Sequence, residues 1–460
     1  MNINTTKTKH LILGAGASGL SLGILVQDSL VIDQSSSPGG HARSLVDDGW
    51  VFDRGPHIIF SRNKLLLDLI VRSLGANIHE CKRKNIVCVN NRTLRYPIEN
   101  DLGCLDPVDK LATLFDFVQT RIDQLHHSEV RNLEEWFETR FGKSLTGIYF
   151  RPYNEKLWKT PLKNLSMLWA DRIPNPPLED VMKGALGTPV DGYLHQLYYQ
   201  YPKHGGYSAL MSSWSSGIDV NQLRLGLRVK KIENVKSGLR TQFWKGPDIT
   251  CEQLVSSIPL RSLVKVIENC EPKIRQLVES LPVNPMRIIT LGIKGEDANN
   301  YTAAYVPDPA VPFNRVSFPK VFSPFNAPPG HYLVQVEITF APGEISKVLD
   351  EDALVKLTKQ QLLDLRLISD GEVVRSWIHD FEDAYVVYPD HYVDSIGEIK
   401  EYFASRGVHI HGRFGAHEYL NVDGCLQRSI EMAERLGYVY KESELVEIFS
   451  GLGQRHAPTH

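Results

Sequence analysis

The stretch His10-Leu11-Ile12-Leu13-Gly14-Ala15-Gly16-Ala17-Ser18-Gly19 decides the fold of this chain. A short strand, His10 to Leu13, runs directly into a Gly-x-Gly-x-x-Gly turn, and a helical stretch from Leu20 to about Gln27 follows. Each glycine has its own task in this setting. Gly14 permits the tight turn, Gly16 lets the backbone approach a pyrophosphate, and Gly19 lets the helix pack on the strand. The helix N-terminus adds unpaired N–H groups and a partial positive charge. A second strand, Leu30 to Ile32, ends in Asp33, 19 residues beyond Gly14, where an acid bonds an adenosine ribose. Strand, turn, helix, second strand and acid in register predict an α/β, Rossmann-like dinucleotide domain.

The continuation narrows the dinucleotide. Ser37-Pro38-Gly39-Gly40-His41-Ala42-Arg43-Ser44 is followed by Phe52-Asp53-Arg54-Gly55-Pro56-His57. Paired glycines, a hydroxyl residue at Ser44 and a Phe-Asp-x-Gly-x-His loop resemble the flavoprotein group that contains amine oxidases, protoporphyrinogen oxidases and UDP-galactopyranose mutases. The resemblance implies non-covalent FAD, with Gly39 and Gly40 at its pyrophosphate and the His57 loop beside its isoalloxazine ring. It also implies flavin contacts at Val229, Arg172, Gly412 and Arg413.

Helical periodicity occupies residues 60–80 and 105–145, whereas Leu227 to Glu233 and Thr241 to Trp244 alternate like strands, and Leu254 to Ser257 is a short apolar run. A strand from Val408 to His411 leads into Gly412-Arg413-Phe414-Gly415 and a helix from Asp423 to Leu436. That closing strand and helix resemble the segment that returns to cover the flavin in the same group. The expected organisation is a discontinuous FAD domain, residues 1–85, 215–275 and 395–450. A substrate domain of helices and an antiparallel sheet takes residues 86–214 and 276–394.

The most informative stretch is Phe150-Arg151-Pro152-Tyr153-Asn154-Glu155-Lys156-Leu157-Trp158, followed by Trp169-Ala170-Asp171-Arg172-Ile173-Pro174. So crowded a string of aromatic and polar residues has no obvious folding rationale. It resembles a signature of UDP-galactopyranose mutases, closest to the eukaryotic type and its bacterial relatives. The likeness continues through Tyr305-Val306-Pro307, Asn314-Arg315, Tyr388-Pro389 and Arg413 with Tyr419, nearly the whole chain. Taken alone, Trp158 and Tyr305 read as core aromatics; the motif context makes them binding residues.

Carried over position by position, the resemblance implies that Asn154 and Trp158 touch a sugar nucleotide and that Arg315, Tyr305, Tyr388 and Tyr419 gather at its diphosphate. Guanidinium forks and phenols suit a diphosphate on chemical grounds as well, because they offer charge-assisted bonds of fixed geometry. Tyr96 and Glu99 mark the base end. There the eukaryotic-type mutases carry a glutamine that recognises uracil, and this chain reads Tyr96-Pro97-Ile98-Glu99, placing a group that, ionised, only accepts hydrogen bonds. A second departure is Phe322-Ser323-Pro324, where the family has a phosphate-binding tyrosine.

The activity so implied is a pyranose–furanose mutase on a nucleotide-diphospho-sugar, with reduced flavin N5 as nucleophile. Its catalytic set is His57, Arg315 and Arg413, and a flavin reductant is required. The alternative is an FAD-dependent oxidoreductase removing hydride from a sugar, amine or porphyrinogen-like substrate.

Composition excludes other classes. With 51 basic against 54 acidic residues there is no footprint for nucleic acid or an anionic membrane. No apolar run approaches the roughly 18 residues of a membrane span. The polar start, Met1 to Lys9, lacks a secretory signal, so a cytoplasmic protein is expected. Six scattered cysteines without a CxxC pair fit reduced thiols and no metal. Oligomeric state is not legible from these features.

Overall fold

The computed structural model describes residues 6–123, 130–173, 175–188, 190, 197–297, 299–345 and 350–455, with the side chains of 171 and 172 outside the description. Strand β1 (Thr6–Leu13), helix α1 (Ala17–Leu25) and strand β2 (Ser29–Ile32) form the opening unit at the positions the glycine pattern predicts. The inner half of β1, all of β2 and nearly all of α1 are buried. That explains why these segments are apolar without alternation: a parallel strand is covered on both faces.

β1 pairs in parallel with β2 on one side and with Ile249–Ser256 on the other. The strand Ile249–Ser256 is extended by the antiparallel strands Val229–Val235 and Gly238–Phe243 and, at its C-terminal half, by the parallel strand Val408–Ile410. This seven-stranded sheet is assembled from three distant stretches of sequence. Helices Ser208–Ser216 and Val422–Arg435 pack against α1, with Met211, Trp214, Leu426 and Met432 completing its core.

In a second seven-stranded sheet the long strand Val283–Lys294, buried almost along its length, lies one in from the edge, between the antiparallel strands His331–Thr339 and Val373–Val386. Strands Arg315–Ser317 and Ala303–Tyr305 continue it, and Asn85–Val89 joins Ala303–Tyr305 in the sheet's single parallel pairing among the described strands. Helices Pro107–Asp123, Leu133–Phe141, Arg151–Trp158 and Leu178–Ala185 form a layer beside it.

One buried carboxylate ties these parts together. Asp53, at the end of the hairpin strand Trp50–Asp53, accepts hydrogen bonds from Ser44 Oγ (2.6 Å), Tyr201 OH (2.8 Å) and the Tyr207 N–H (3.0 Å). Its carbonyl accepts from Gln335 Nε2 (2.9 Å) on the central sheet. Burial pushes its carboxyl up to about 6 despite these donors.

Removing the Asp53 carboxylate strands three donors in a dry interior, each such loss costing about 1–3 kcal/mol. Asp53→Ala is therefore expected to lower the thermal midpoint by several degrees, and Asp53→Asn by less. An unchanged midpoint for the alanine variant would contradict the assigned network.

Acid sensitivity follows from buried histidines. Burial, aided by neighbouring arginines at the first two, holds His41 at about 4, His57 at about 3, and His411 and His417 at about 4, against 6.5 for a free imidazole. Below pH 6.5 the unfolded chain protonates these four first, so their contribution is complete above 6.5 and lost as pH falls toward 4. Asp53 and Glu99, raised by burial to about 6 and about 7, act in the opposite sense over the same range. Four groups outweigh two. The thermal midpoint should fall between pH 6.5 and 4.5, and His417→Gln should flatten the fall; a midpoint that rises on acidification would refute this account.

Candidate functional site

The turn after β1 is shaped by contacts that only glycine allows. Gly14 has φ +98°, and a Cβ there would lie 2.5 Å from Ser257 Oγ; a Cβ on Gly19 would lie 1.8 Å from the Gly14 carbonyl oxygen. Gly16 differs, since a Cβ there meets nothing nearer than the Cα of Gly40, at 3.9 Å. The two glycine motifs thus face one another: Gly39 donates its N–H to the Ala15 carbonyl (2.7 Å), and Gly40 sits at φ +54° across from Gly16. The N-terminus of α1 carries neither a side-chain cap nor an acid in its first turn. This surface of bare backbone suits a pyrophosphate.

Asp33 accepts from the Ala15 N–H (2.8 Å) and the Ser35 N–H (2.7 Å), fixing the loop. Its carbonyl accepts from Leu227, two residues before the half-buried Val229. Gly412, at φ +73°, packs on the first turn of α1, where a Cβ would meet Ser18 Oγ at 2.2 Å. Ser44 is placed otherwise: its hydroxyl donates to Asp53 and accepts from the Ser208 N–H, so it holds the hairpin. The side chain of Arg172 lies outside the described residues.

Cations collect beside the glycines. His41 lies between the rings of Phe414 (4.9 Å) and Phe381 (5.8 Å), Arg54 stands over Phe381 (5.7 Å) and Arg413 over Phe414 (5.6 Å). The Nε atoms of Arg43, Arg54 and Arg413 and Nδ1 of His57 are buried with no hydrogen-bond partner among the described residues. Ion pairs form elsewhere, at Arg287, Arg315 and Arg428. A half-buried cluster of guanidinium groups with spare, buried Nε donors calls for an anion. FAD, with its pyrophosphate, fits both the bare glycine cradle and this charge. His41, Arg43 and Arg54 lie in stretches whose glycines drew the reading, and only their side-chain directions reveal them.

On the far side of Arg413 begins a chain of aromatic and cationic groups. Arg413 donates to the carbonyls of Leu420 (3.1 Å) and Ala384 (3.0 Å) and lies 4.0 Å above the Tyr419 ring. Tyr419 stacks with Tyr385 at 6.3 Å, and the Tyr385 hydroxyl stands 3.3 Å from Arg315. Arg315 grips Glu337 with two bonds (2.7 and 2.9 Å), and Tyr385 donates to the same carboxylate (2.8 Å). Burial works against the charge of Arg315, and Glu337 more than restores it, so the guanidinium is held above its usual range. Glu337 and Tyr385 were missed in the sequence. Glu337 had a readable signal, being the one carboxylate in the apolar strand His331–Thr339 and directly opposite Arg315 in register.

The remaining predicted residues fall on this wall. Trp158 packs on Trp169 (4.1 Å) and edge-on to Tyr419 (5.9 Å); Trp169 reaches Tyr388 (5.1 Å), whose hydroxyl accepts from the Tyr419 N–H (2.5 Å). Asn154 spends its amide on the Phe150 carbonyl and accepts from Trp158 Nε1, so it orients that indole. Tyr305 lies between Tyr96 (5.0 Å) and Tyr153 (5.5 Å), and its hydroxyl accepts from Asn85. Glu99 is buried, and its carboxyl is pushed up to about 7. Burial thus favours its neutral form, which can donate as well as accept, unlike the ionised group considered from sequence.

Two sequence readings change. The crowded Arg151–Trp158 string has a folding rationale after all: Arg151 pairs with Glu134 and Glu138, Glu155 caps Leu162, and Lys156 donates to the carbonyls of Val306 and Asp308, pinning the Tyr305 loop. The helix is entered through a π-turn, Thr146–Phe150, a distortion frequent at functional sites. Phe322 is buried against Tyr199 and Tyr201, in the core rather than on this wall. The six cysteines are unpaired, and no helix among the described residues is long and apolar enough to cross a membrane.

Comparison with known proteins agrees with this architecture. The profile of the family described as Flavin containing amine oxidoreductase matches residues 18–421. UDP-galactopyranose mutase of Mycoplasma pneumoniae (strain ATCC 29342 / M129 / Subtype 1) is 23% identical over 182 residues, 35% of this chain and 43% of that protein, so the match spans less than half of the relative. A crystal structure of reduced UDP-galactopyranose mutase superposes with a TM-score of 0.85 at 22% identity, covering 97% of this chain and 99% of that one. A putative protoporphyrinogen oxidase from Exiguobacterium sp. 255-15 superposes with a TM-score of 0.71 at 15% identity, covering 95% and 99%.

The cradle makes a direct prediction. Gly16→Val should fold, because its Cβ has room, yet purify colourless, because the rest of the side chain occupies the space before the paired glycines. Full FAD absorbance in that variant would refute the assignment.

Proposed function

This chain belongs to the family of flavin containing amine oxidoreductases, and from that premise we propose that it is a pyranose–furanose mutase acting on a nucleotide-diphospho-sugar. The observation that carries the reading is the unbroken line from Arg315 through Tyr385 and Tyr419 to Arg413, beside the loop that bears His57. A line of phenols held between a fixed guanidinium, Arg315, and one with a spare donor, Arg413, offers a diphosphate both neutral and charge-assisted hydrogen bonds. Removing hydride from an amine or a porphyrinogen would make no use of the spare Arg413 donor.

FAD, when bound, supplies the covalent chemistry at the sugar. The protein's residues bind, orient and compensate charge. Arg413 has a spare Nε donor and carries the charge that develops on the departing diphosphate, an electrostatic role in which one lost donor costs about 10²-fold or more. Arg315, already gripped by Glu337, is a fixed donor whose geometry the carboxylate sets. Trp158, oriented by Asn154, offers its face to the sugar. Glu99, with Tyr96, reads the base. His57, neutral in the free protein because burial and Arg413 hold it at about 3, serves as a hydrogen-bond donor or acceptor beside the cofactor and carries no charge. A reductant must keep FAD reduced, and a cytoplasmic setting provides one.

The test compares redox requirements. Dithionite-reduced enzyme should interconvert a nucleotide-pyranose and nucleotide-furanose with no net consumption of reductant or oxygen, and oxidised enzyme should neither turn over nor bleach. Tyr419→Phe should weaken nucleotide-sugar binding about tenfold with FAD content unchanged, as expected for a bond worth about 1.4 kcal/mol. Rapid anaerobic bleaching of oxidised FAD by a sugar, amine or porphyrinogen, without isomerisation by the reduced form, would establish the oxidoreductase alternative instead.

A further inference from the structure

A cavity of about 560 Å3 lies at the free edge of the strand Val408–Ile410, between the helices Tyr392–Ala404 and Val422–Arg435. The strand bonds to Ile249–Ser256 through Gly407 and His411, so the backbone of Ile410 points to the other edge, which no described strand covers. The two ends of the cavity differ in kind. The first helix joins the strand through a tight turn, 405–407, which puts Lys400 and Ala404 at the start of the strand. Arg435 reaches the same end, where its charge adds to burial in holding His409 below its ordinary value. At the opposite end the exposed Leu168 and Val393 join the buried Tyr392 and Ile396 in an apolar wall. Tyr392 is tied there by its hydroxyl, which donates to the His417 carbonyl (2.8 Å).

The charges lining the cavity do not cancel. Arg428 takes up both carboxylates, Glu418 (3.0 Å) and Glu431 (2.8 Å). Lys400 and Arg435, on the two facing helices, have no ion pair or hydrogen bond among the described residues. A solvated lysine or arginine is ordinary surface, but here the pair closes one end of a cavity whose other end is apolar. We infer that this cavity is a ligand site separate from the FAD cradle, and that it takes an organic anion with an apolar body. The head lies between Lys400 and Arg435, and the body runs along Ile396 and Tyr392. The volume is that of a small-molecule pocket, roughly 300–1,000 Å3. The lining face of the first helix, Tyr392 to Ala404, is about 18 Å long at about 1.5 Å per residue, which accommodates a ten-carbon chain with its head. Two unpaired cations favour a carboxylate over a neutral or cationic head. None of Gly14, Gly16, Gly39, Gly40, Arg315 and Arg413 lines the cavity. Two of its wall residues nevertheless adjoin the site described above: Gly412 packs on the first turn of α1, and the Tyr388 hydroxyl accepts from the Tyr419 N–H. A ligand there holds the two helices and the segment Gly412–Tyr419 together from behind.

The test uses the full-length, FAD-loaded protein, with sodium decanoate as the probe. Titration calorimetry should give one site per chain with a dissociation constant of about 100 µM or tighter, and the thermal midpoint should rise with decanoate concentration. Decanol and decyltrimethylammonium should bind more than tenfold more weakly. The double variant Lys400→Glu with Arg435→Glu, altered at two exposed positions, should lose more than tenfold in decanoate affinity with FAD content and ligand-free midpoint retained. Val393→Asp, exposed at the apolar end, provides the same readout should the double variant fold poorly. Lys245→Glu, exposed on a strand hairpin elsewhere, should bind decanoate like the parent protein. Millimolar UDP should leave decanoate binding unchanged. No binding at millimolar decanoate, parental affinity in both the charge-reversed and the Val393→Asp variants, equal affinity for decanol, or displacement by UDP would each overturn the inference.

Discussion

The buried carboxylate of Asp53 is the constraint on which the site depends. An acid with no access to water must be met by donors, and those available come from three separate segments: the hairpin, the strand Tyr198–Tyr201 and the entry to helix Ser208–Ser216. Satisfying it closes the hairpin against the first lobe, while Gln335 draws the same residue's carbonyl to the second sheet. The next four residues, Arg54 to His57, therefore leave this junction in a set direction. They carry a cation and an imidazole to the edge of the glycine cradle.

The charges of the site divide between two solutions. Arg315 is neutralised internally by Glu337, and both belong to one sheet, in register across adjacent strands. Its position is thereby fixed, and its remaining donor capacity is preorganised. Arg43, Arg54 and Arg413 have spare donors and are held instead by carbonyls, a serine and aromatic rings. Such a surplus is costly for the bare protein and is repaid by an anion. A cofactor with a pyrophosphate is a ligand that this imbalance describes.

The same helical layer that supplies Trp158 and Asn154 to the site presents Val108, Leu111, Phe115 and Ile122 of the helix Pro107–Asp123 to the outside. Its inner face is fixed by Phe117 and the Leu133–Phe141 helix.

What the sequence determined by itself was the local chemistry. Gly14, Gly16 and Gly19 announce a pyrophosphate turn, Gly14 by its φ and contacts, Gly19 by its contact with the Gly14 carbonyl and Gly16 by the bare backbone it leaves, and an apolar strand before them leaves one fold for the opening unit. The resemblance to flavoenzymes likewise rested on short strings, and these put Trp158, Tyr305, Arg315, Tyr388, Arg413 and Tyr419 near one another in advance. Tertiary structure alone decided how each side chain is spent. Ser44 turned to Asp53, Asn154 to Trp158, and Phe322 into the core, while Tyr385, Glu337, His41 and Arg54 entered a site that no motif had offered them. Glu99 changed character for the same reason. A carboxyl group's proton affinity is set by its loss of water, and burial is a property of the folded chain, which no single position in the sequence carries.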